Sequence, residues 1–432
     1  MHGRMGKRLG ALAVLALLSV WTVSAQTDGT FVGYSPYSVY GVGNLHNQGT
    51  ARSKGMGGVG IAGRNKRFIN TANPASVTAR DSLSFMTDFG LSGKFSLFRE
   101  GDKTAYNPSM NIENFVISFP MWKHTAFMAG LMPLSEVGYI ISDTETNYYS
   151  TQEVFTSKGN GGLYQVFAAA GVTLWDRLSL GVQGQYNFGS ISKASSTSYA
   201  EESYTGFNSG DTLQVTNFAV KLGLQYEQPV SSTHYVTIGG TYRFSTPIGG
   251  HRIHYLNKGS LDHNWTDNLI SKDNVFMGDE AGAGISFRKA DVWSAELNYT
   301  RSNWANSGFE SIPGFSNNGT DGTFASSVGQ SFRGGFEITP NRNDIRYFFK
   351  LCTYRAGAYF DSSYYTVNGE HVNAIGLTLG MTLPVFRWYN GITVGLDMGR
   401  RGLATSQIKE TYAGFNFSLN MFDIWFKKPR YE

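Results

Sequence analysis

The main pattern along the chain after residue 81 is an alternation of apolar and polar residues. It runs through residues 178–188, 293–300, 375–383 and 413–421. Because successive side chains of a β-strand point to opposite faces, this alternation predicts strands with one face against apolar material and the other against water or polar groups. No stretch of about 18 apolar residues follows residue 25, so we expect no membrane-spanning helix. The chain is therefore predicted to be all-β.

The lengths of the connections distinguish the architectures that such strands could form. We predict fourteen strands near residues 82–95, 110–120, 124–138, 161–174, 178–191, 212–226, 235–245, 274–287, 292–302, 326–338, 347–359, 372–383, 391–400 and 411–425. The connections alternate between long polar loops and short turns, which is typical of bacterial outer-membrane barrels and is not required in a soluble sandwich or propeller. The sequence therefore predicts a transmembrane outer-membrane β-barrel of about 14 antiparallel strands in a Gram-negative bacterium. Its N- and C-termini are expected to be periplasmic.

The tryptophans provide independent support for a barrel in a membrane. Five of them, Trp122, Trp175, Trp293, Trp388 and Trp425, lie at the short-turn ends of the predicted strands. The amphipathic indole ring prefers the headgroup level of a bilayer, where it forms interfacial girdles. The placement of these residues therefore indicates one edge of a membrane-spanning band.

The first 25 residues form a segment of a different kind. A basic stretch at residues 4–8 precedes an apolar run at residues 9–20, and small residues at 23–25 provide a cleavage site. The apolar run is too short, and too soon followed by polar sequence, to span a bilayer comfortably. We therefore predict a cleaved secretory signal at residues 1–25.

Composition excludes several classes of protein. Of the 432 residues only 16% are charged, against about a quarter in a typical soluble domain. With 36 basic and 32 acidic residues, and three of the basic ones in the signal, the rest of the chain carries a formal charge of +1, so we expect no nucleic-acid partner. The single cysteine, Cys352, cannot form an intramolecular disulfide, so other interactions must hold the exported fold together.

The segment of residues 26–80 precedes the predicted barrel of residues 81–432 and is rich in glycine and small residues. A ring of fourteen strands is too wide to be filled by its own wall side chains. We therefore predict that this segment is a plug inside the lumen, where small residues permit tight packing. The residues expected to form its motif are Gly55, Gly57, Gly58, Gly60, Gly63, Asn73, Pro74 and Ala75.

Charge is divided unevenly between the plug segment and the barrel. Residues 26–80 carry a formal charge of +5, and residues 81–432 carry −4. This division predicts that plug bases dock against wall carboxylates; the alternative is a solvated arm in the periplasm. The expected plug bases are Arg64, Lys66 and Arg67. The polar residues expected to face the lumen, where they pair with each other or line a passage, are Arg243, Glu296, Arg333, Glu337 and Asp397.

The glycine run at 55–63 and the following Asn73-Pro74-Ala75-Ser76 resemble the plug of long-chain fatty-acid outer-membrane transporters. That family, which includes channels for aromatic hydrocarbons, has an acidic pair between the two motifs, where this chain has Arg64, Lys66 and Arg67. The segments 34–38 (Tyr-Ser-Pro-Tyr-Ser) and 425–428 (Trp-Phe-Lys-Lys) are similar to a Bacteroidetes-type branch. The resemblance implies a plugged fourteen-stranded barrel. The branch includes an accessory barrel of type IX secretion and barrels associated with outer-membrane assembly.

Motifs for nucleotide binding, metal binding and catalysis each lack a residue or element that the chemistry requires. Residues 58–63 match the spacing of a dinucleotide fingerprint, but no strand precedes them and no βαβ unit follows. His251, His254 and His263 share a long loop with Asp262, and imidazoles at this density could bind a metal, although loop histidines are commonly only solvated. No histidine in a predicted strand pairs with a credible serine or aspartate. We expect no catalytic site, no metal site and no cofactor.

Two classes of function remain. The first is passive uptake or passage of hydrophobic or amphipathic small molecules, with outer-membrane lipid and a hydrophobic ligand as partners. The second is a non-transporting accessory or scaffold barrel, with secretion or barrel-assembly components and lipoproteins as partners. The loop at 192–211 is mostly Ser, Tyr, Thr, Glu and Gly, which favours hydrogen bonding to protein or glycan. Because the plug-plus-barrel architecture resembles transporters, passage is the first expectation and the accessory role is the second.

Overall fold

The computed structural model describes residues 33–81, 84–101, 103–146, 152–199, 206–258, 261–268, 275–290, 292–312, 315, 324–385, 390–404 and 408–424. The predicted signal at 1–25, the segment 425–428, and the predicted girdle residues Trp388 and Trp425 lie outside these ranges.

Fourteen antiparallel strands form one closed ring, as the alternation predicted. They are β1 Ser84–Glu100, β2 Lys103–Trp122, β3 Thr125–Thr146, β4 Gln152–Leu174, β5 Leu178–Tyr199, β6 Phe207–Pro229, β7 His234–Arg243, β8 Asp279–Lys289, β9 Trp293–Asn303, β10 Val328–Ile338, β11 Thr353–Val367, β12 Glu370–Pro384, β13 Gly391–Gly402 and β14 Lys409–Ile424. Each strand pairs with its neighbours in chain order, and the ring closes where β14 pairs with β1, Ser84 lying opposite Ile424. The pairing of β2 with β3 extends from Trp122 and Thr125 to Phe115 and Leu131. Beyond Leu131, the described partners of β3 on that side are Asn44 and Leu45.

Several strands continue further at the long-loop end than the sequence predicted. The predicted loop at 360–371 is a tight turn between β11 and β12, at Asn368 and Gly369 with φ of 52° and 82°. An Asn-Gly pair with both residues at positive φ is the favoured two-residue hairpin turn. The predicted loop at 96–109 is likewise mostly strand, with Gly101 at φ 55° in its turn. Polar composition alone therefore did not distinguish a loop from a strand that continues beyond the membrane.

The region before β11 also differs from the prediction. The predicted strand at 347–359 begins only at Thr353, because Phe348–Leu351 forms a short helix. The apolar residues Phe349 and Leu351 stand at odd positions and Tyr354, Ala356 and Ala358 at even ones, and this change of phase coincides with the start of the strand. The register irregularity in this strand lies elsewhere, between Ser362 and Thr366.

Short elements complete the fold around the ring. The hairpin formed by Gly249–Lys258 and Leu261–Asn268 continues the sheet on β6 above the end of β7. The remaining short strands are Asn44–Leu45, Thr246–Pro247, Phe276–Met277 and Phe324–Ser326. The remaining helical turns are Pro36–Val39, Ala51–Lys54, Pro74–Thr78 and Phe309–Ser311. None of the helices in these described ranges is long and apolar enough to cross a bilayer.

The two faces of the wall have opposite polarity. On β12, Ile375 and Leu377 face outward with 61% and 63% of their surface exposed, whereas Thr378 between outward positions is 3% exposed. Apolar side chains outside and polar side chains inside are the arrangement of a membrane barrel. At the short-turn end, the exposed Trp122 and Trp175 lie where the predicted girdle places them.

Candidate functional site

Residues 33–81, hereafter the lumenal segment, lie inside the ring. Hydrogen bonds from its side chains reach backbone carbonyls on three sides of the wall: from Tyr37 to Ile408, from Gln48 to Pro133 and from Asn73 to Leu224. These acceptors belong to β3, to β6 and to the connection before β14. Because these parts of the wall surround the segment, it occupies the space that they enclose.

Two apolar clusters hold the lumenal segment near its two ends. At the long-loop end, Tyr37, Val39 and Val42 belong to a buried cluster with aromatic residues of the wall and loops, among them Trp304, Phe309, Phe315, Phe324, Tyr364 and Tyr365. At the short-turn end, Ile69 and Val77 belong to a second cluster with wall residues that include Met86, Val116, Met128, Met132 and Phe167. Burial of each such side chain contributes about 1.5–3 kcal/mol. Between the clusters, the contacts of the segment are mainly polar.

The glycine run approaches the wall where the wall itself lacks side chains. The backbone amide of Gly57 donates a hydrogen bond to the Thr378 hydroxyl at 2.7 Å. Gly57 has φ +73°, and a β-carbon there would overlap the backbones of Gly334 and Ala358. A β-carbon on the facing Gly357 would in turn overlap Gly57. Only glycine on both sides permits this backbone-to-backbone contact.

The other glycines of the predicted motif lie along the same surface. A β-carbon on Gly55 would meet Gly380 of β12. The Gly58 amide donates to the Ser53 carbonyl at 2.8 Å. The carbonyls of Gly60 and Gly63 both accept hydrogen bonds from the Asn70 side chain, at 2.6 Å and 3.0 Å.

Asn73 connects the lumenal segment to the wall. Its side chain accepts a hydrogen bond from the Ala75 amide at 3.0 Å and so caps the turn Pro74–Thr78. Its amide nitrogen donates to the carbonyls of Ile61, at 2.7 Å, and of Leu224 on β6, at 3.1 Å. Pro74 and Ala75 pack against the wall glycines Gly181 and Gly223. The structure thus brings the Asn-Pro-Ala motif into direct contact with β5 and β6.

A buried ion cluster fixes the middle of the lumenal segment. The Glu337 carboxylate accepts hydrogen bonds from Arg52 Nε at 3.0 Å and from Arg355 Nε at 2.6 Å. Lys54 pairs with Glu113, and His46 lies 2.9 Å from Glu136. Ion pairs therefore connect the lumenal segment to the wall, and their bases Arg52, Lys54 and His46 are not among the expected plug bases Arg64, Lys66 and Arg67.

The three predicted plug bases have different surroundings. Arg64 lies inside, where its guanidinium donates to Ser179 at 2.8 Å and lies 3.9 Å from Glu227. Lys66 is exposed and pairs at 3.1 Å with Asp81, within the lumenal segment rather than across to β1–β14. Arg67 lines a cavity together with Lys66 and Asp81. Of these three, Arg64 is connected to the wall through Ser179 and Glu227.

The predicted lumen residues all face inward. The backbone amide of Ala62 donates to Glu296 at 2.9 Å. Arg333 pairs with Asp361 at 2.6 Å and also donates to the Gly57 carbonyl at 3.1 Å.

The other two predicted residues contact charged or polar groups of the wall. Arg243 lies 3.7 Å from Glu280. Asp397 accepts a hydrogen bond from the Tyr359 hydroxyl at 2.8 Å. Together with Glu337, three of the five predicted residues therefore contact the lumenal segment directly.

Arg52, Lys54, Glu113 and Glu136 were not singled out from the sequence. The wall register explains part of this. β2 is irregular beside Gly90 of β1, so that Glu113 and Asn114 are both buried although they are adjacent. A bulge of this kind interrupts the period of two on which inward and outward positions are assigned. Arg52 and Lys54 were counted in the charge of the segment without being distinguished from its other bases.

Burial changes the titration of bases in the lumenal segment. Burial alone would lower the pKa of Arg52, but the Glu337 carboxylate outweighs it, and the pKa is raised above its ordinary value. Burial lowers the pKa of Arg64, which Glu227 only partly offsets. Burial also lowers the pKa of Arg80 to about 9. Of these three bases, Arg52 is the one whose charged form is favoured, because of its ion pair with Glu337.

Three cavities in the lumen have charged side chains in their lining. One cavity of about 220 Å³ is lined in part by Lys221, Glu280, Arg333 and Asp361. A second, of about 170 Å³, lies among charged groups that include Lys54, Lys94, Glu113, Glu136 and Asp397. A third, of about 260 Å³, opens at the short-turn end beside Arg64 and Lys66.

The closed ring, its apolar outer face and its internal segment define a plugged outer-membrane β-barrel. Known structures share this fold. The toluene transporter TbuX of Ralstonia pickettii aligns at 14% identity and TM-score 0.55 over 86% of this chain and 97% of its own. The toluene transporter TodX of Pseudomonas putida aligns at 12% identity and TM-score 0.53, over 87% of this chain and 98% of its own. A Pseudomonas aeruginosa FadL homologue aligns at 10% identity and TM-score 0.53, over 88% of this chain and 99% of its own.

The family model of BamG matches residues 5–432, and the chain belongs to the BamG family. No curated protein matches the chain. The predicted fold and the likeness to the fatty-acid transporter class are thus confirmed. The finer assignment to a Bacteroidetes-type branch stays a prediction.

Proposed function

We propose that this protein is a non-transporting accessory barrel in an outer-membrane protein secretion or assembly complex. The observation that carries the proposal is the filled lumen. The lumenal segment is held by an apolar cluster near each end and by buried ion pairs between them. Opening a passage would separate buried charges from their partners, which costs about 3–5 kcal/mol for each broken pair.

The chemistry of the lumen supports the same proposal. Sites for hydrophobic ligands are lined mainly by apolar and aromatic side chains. The cavities of about 220 and 170 Å³ instead combine apolar surface with charged groups, including Lys54, Glu113, Arg333 and Asp361. An apolar molecule there would separate these groups from water without replacing their hydrogen bonds, which is unfavourable.

Family membership is a further support. The BamG model covers almost the whole chain, whereas the toluene transporters share the fold at only 12–14% identity. We place the short-turn end, and with it both chain termini, in the periplasm, and the long loops outside the cell. Partners of the proposed complex are secretion or barrel-assembly components and lipoproteins.

Depletion of the protein in its native bacterium tests this proposal. An accessory role predicts reduced amounts of other outer-membrane or secreted proteins, measured by quantitative mass spectrometry of the outer membrane and medium. Uptake of a monoaromatic hydrocarbon should be unchanged. Normal levels of those proteins together with reduced uptake would contradict the proposal. Depletion of an unrelated outer-membrane barrel serves as the matched control for general membrane damage.

A second candidate function is passive passage of hydrophobic molecules. It is supported by the fold that the chain shares with the toluene transporters TbuX and TodX. Under this alternative, the lumenal segment would have to shift to open a path. Reduced hydrocarbon uptake on depletion, restored by the intact protein, would favour this second function over the accessory role.

A further inference from the structure

Three exposed cations form a cluster on the outer face of the wall at the long-loop end. Arg99 at the end of β1 lies directly opposite Lys409 at the start of β14. Arg400 of β13 lies opposite Thr411, which places it diagonally beside Lys409. All three side chains are exposed and belong to outward positions of their strands. We call Arg99, Arg400 and Lys409 the basic cluster.

The basic cluster lacks counter-charges within the described part of the chain. Like charges directly opposite each other on a sheet are destabilising. None of the three residues makes an ion pair or side-chain hydrogen bond with the described residues. The nearby Glu410 points into the lumen, where it pairs with Lys94 at 3.1 Å. Glu100 follows Arg99 on the opposite face of the strand. An anion from outside the protein would therefore relieve the repulsion.

The position of the cluster fits the level of lipid headgroups. Arg99 is fifteen residues beyond Ser84, which begins β1 at the short-turn end. At a rise of ~3.3 Å per residue and a tilt of ~40°, Arg99 lies roughly 38 Å above Ser84. An outer-membrane barrel has an apolar band about 25 Å tall. The basic cluster therefore lies beyond this band, on the side of the long loops.

An apolar concavity lies directly below the cluster. It has a volume of about 1430 Å³ and follows the outer face of the wall. Its lining includes the outward residues Leu97, Ile375, Leu377 and Met398, with Arg400 at its upper edge. The wall comes close to the lumenal segment here, because inward positions such as Gly357 lack side chains. Flexible acyl chains can fill such an apolar surface.

We propose that the basic cluster and this concavity bind a lipid of the outer leaflet whose headgroup carries anionic phosphate groups. The phosphates contact Arg99, Arg400 and Lys409, and the acyl chains lie in the concavity. Charge-assisted hydrogen bonds from guanidinium groups suit phosphate oxygens. This site depends on the orientation of the barrel but not on the proposed accessory function, because it uses only the outer face of the wall.

The test measures lipid binding by the full-length barrel in a neutral detergent. The probes are a phosphorylated lipid A, the same lipid after removal of its phosphates, and inorganic phosphate. A cation near an anionic lipid contributes about fivefold in affinity. The triple variant Arg99→Gln, Arg400→Gln, Lys409→Gln should therefore bind phosphorylated lipid A roughly 100-fold more weakly than the unmodified protein. Raising the salt concentration should reduce the difference.

Arg301→Gln is the matched control, because Arg301 is an exposed outward cation at the long-loop end whose strand partners are Ala281 and Gln330. It should change the affinity less than twofold. Heat-modifiable migration in gels verifies that each variant is a folded barrel. Equal binding of the two lipid A forms, or undiminished binding by the folded triple variant, would overturn the proposal. Inorganic phosphate that bound as tightly as the lipid would overturn the assignment to a lipid.

Discussion

Replacement of Glu337 by glutamine should loosen the lumenal segment while the barrel stays closed. The Glu337 carboxylate is shared by Arg52 of the segment, at 3.0 Å, and Arg355 of β11, at 2.6 Å. All three side chains are buried. Glutamine preserves the volume and can still accept one hydrogen bond, but it removes the carboxylate that the two guanidinium groups share.

The magnitude follows from the burial of these groups. Breaking a buried ion pair by removing one partner costs about 3–5 kcal/mol. Because glutamine keeps part of the hydrogen bonding, we expect the lower limit, about 3 kcal/mol, in the free energy that docks the segment. This corresponds to a roughly 150-fold increase in the undocked fraction. The substitution also removes the pair of Glu337 with Arg355 between β10 and β11, but the backbone hydrogen bonds of β4 with β5 lie away from this cluster and should be unaffected.

Hydrogen exchange measures the two effects separately, because local opening and global unfolding expose different amides. Amides of residues 51–63 should exchange faster in Glu337→Gln, whereas those in the middle of β4 and β5 should not. Arg52→Met should accelerate the same segment. Lys66→Gln is the control, because the exposed pair of Lys66 with Asp81 contributes less than about 1 kcal/mol. Unchanged exchange of residues 51–63 in both Glu337→Gln and Arg52→Met would refute the reasoning.

Three further substitutions test other parts of the account. Gly57→Ala should weaken docking of the segment by about 2 kcal/mol or more, because the φ of Gly57 is +73° and wall backbone fills the space beside it. The control Gly101→Ala, at a residue with φ +55° and open space around it, should cost about 1–2 kcal/mol and leave the segment docked. Equal hydrogen exchange of the segment in the two variants would contradict the contact of Gly57 with the wall. Asn73→Ala should cost about 2 kcal/mol in the same assay, because buried carbonyls lose their donor; exchange like that of the unmodified protein would contradict this. Leu379→Arg, deeper in the apolar band, should destabilise refolding into bilayers by about 2–4 kcal/mol and Asn373→Arg, nearer the loop end, by about 1 kcal/mol or less; equal costs would contradict the membrane position.

Much of the wall could be predicted from the sequence, because the period of two is imposed by strand geometry itself. The start of β5 at Leu178 and of β13 at Gly391 coincide with the predicted boundaries. The long-loop ends could not be predicted as well, because polar strands that continue beyond the membrane have no apolar face. The hairpin turn at Asn368 and Gly369 was the signal available there.

The interior was harder to predict than the wall. Alternation assigns Ser418 to the lumen, and the structure agrees, but Ser418 is 1% exposed and its hydroxyl lies 2.9 Å from Asp88 Oδ2. An inward position is therefore not a solvated one, and an arginine at Ser418 would lack space. The division of charge predicted that bases of the lumenal segment pair with carboxylates of the wall. The division of charge could not identify Arg52 and Lys54 as the pairing bases, because their partners Glu337 and Glu113 are distant in sequence and Glu113 lies at a register irregularity.

The accessory role is tested most directly by isolation of the protein from its native outer membrane under gentle extraction. The chain would carry an affinity tag at a long-loop tip, and an unrelated barrel tagged in the same way would serve as the control. Quantitative mass spectrometry would then measure the proteins and small molecules that remain bound. One or more secretion or assembly proteins or lipoproteins should be recovered in fixed stoichiometry with the chain. Recovery of the chain without such proteins, but with a hydrophobic small molecule in its lumen, would contradict it.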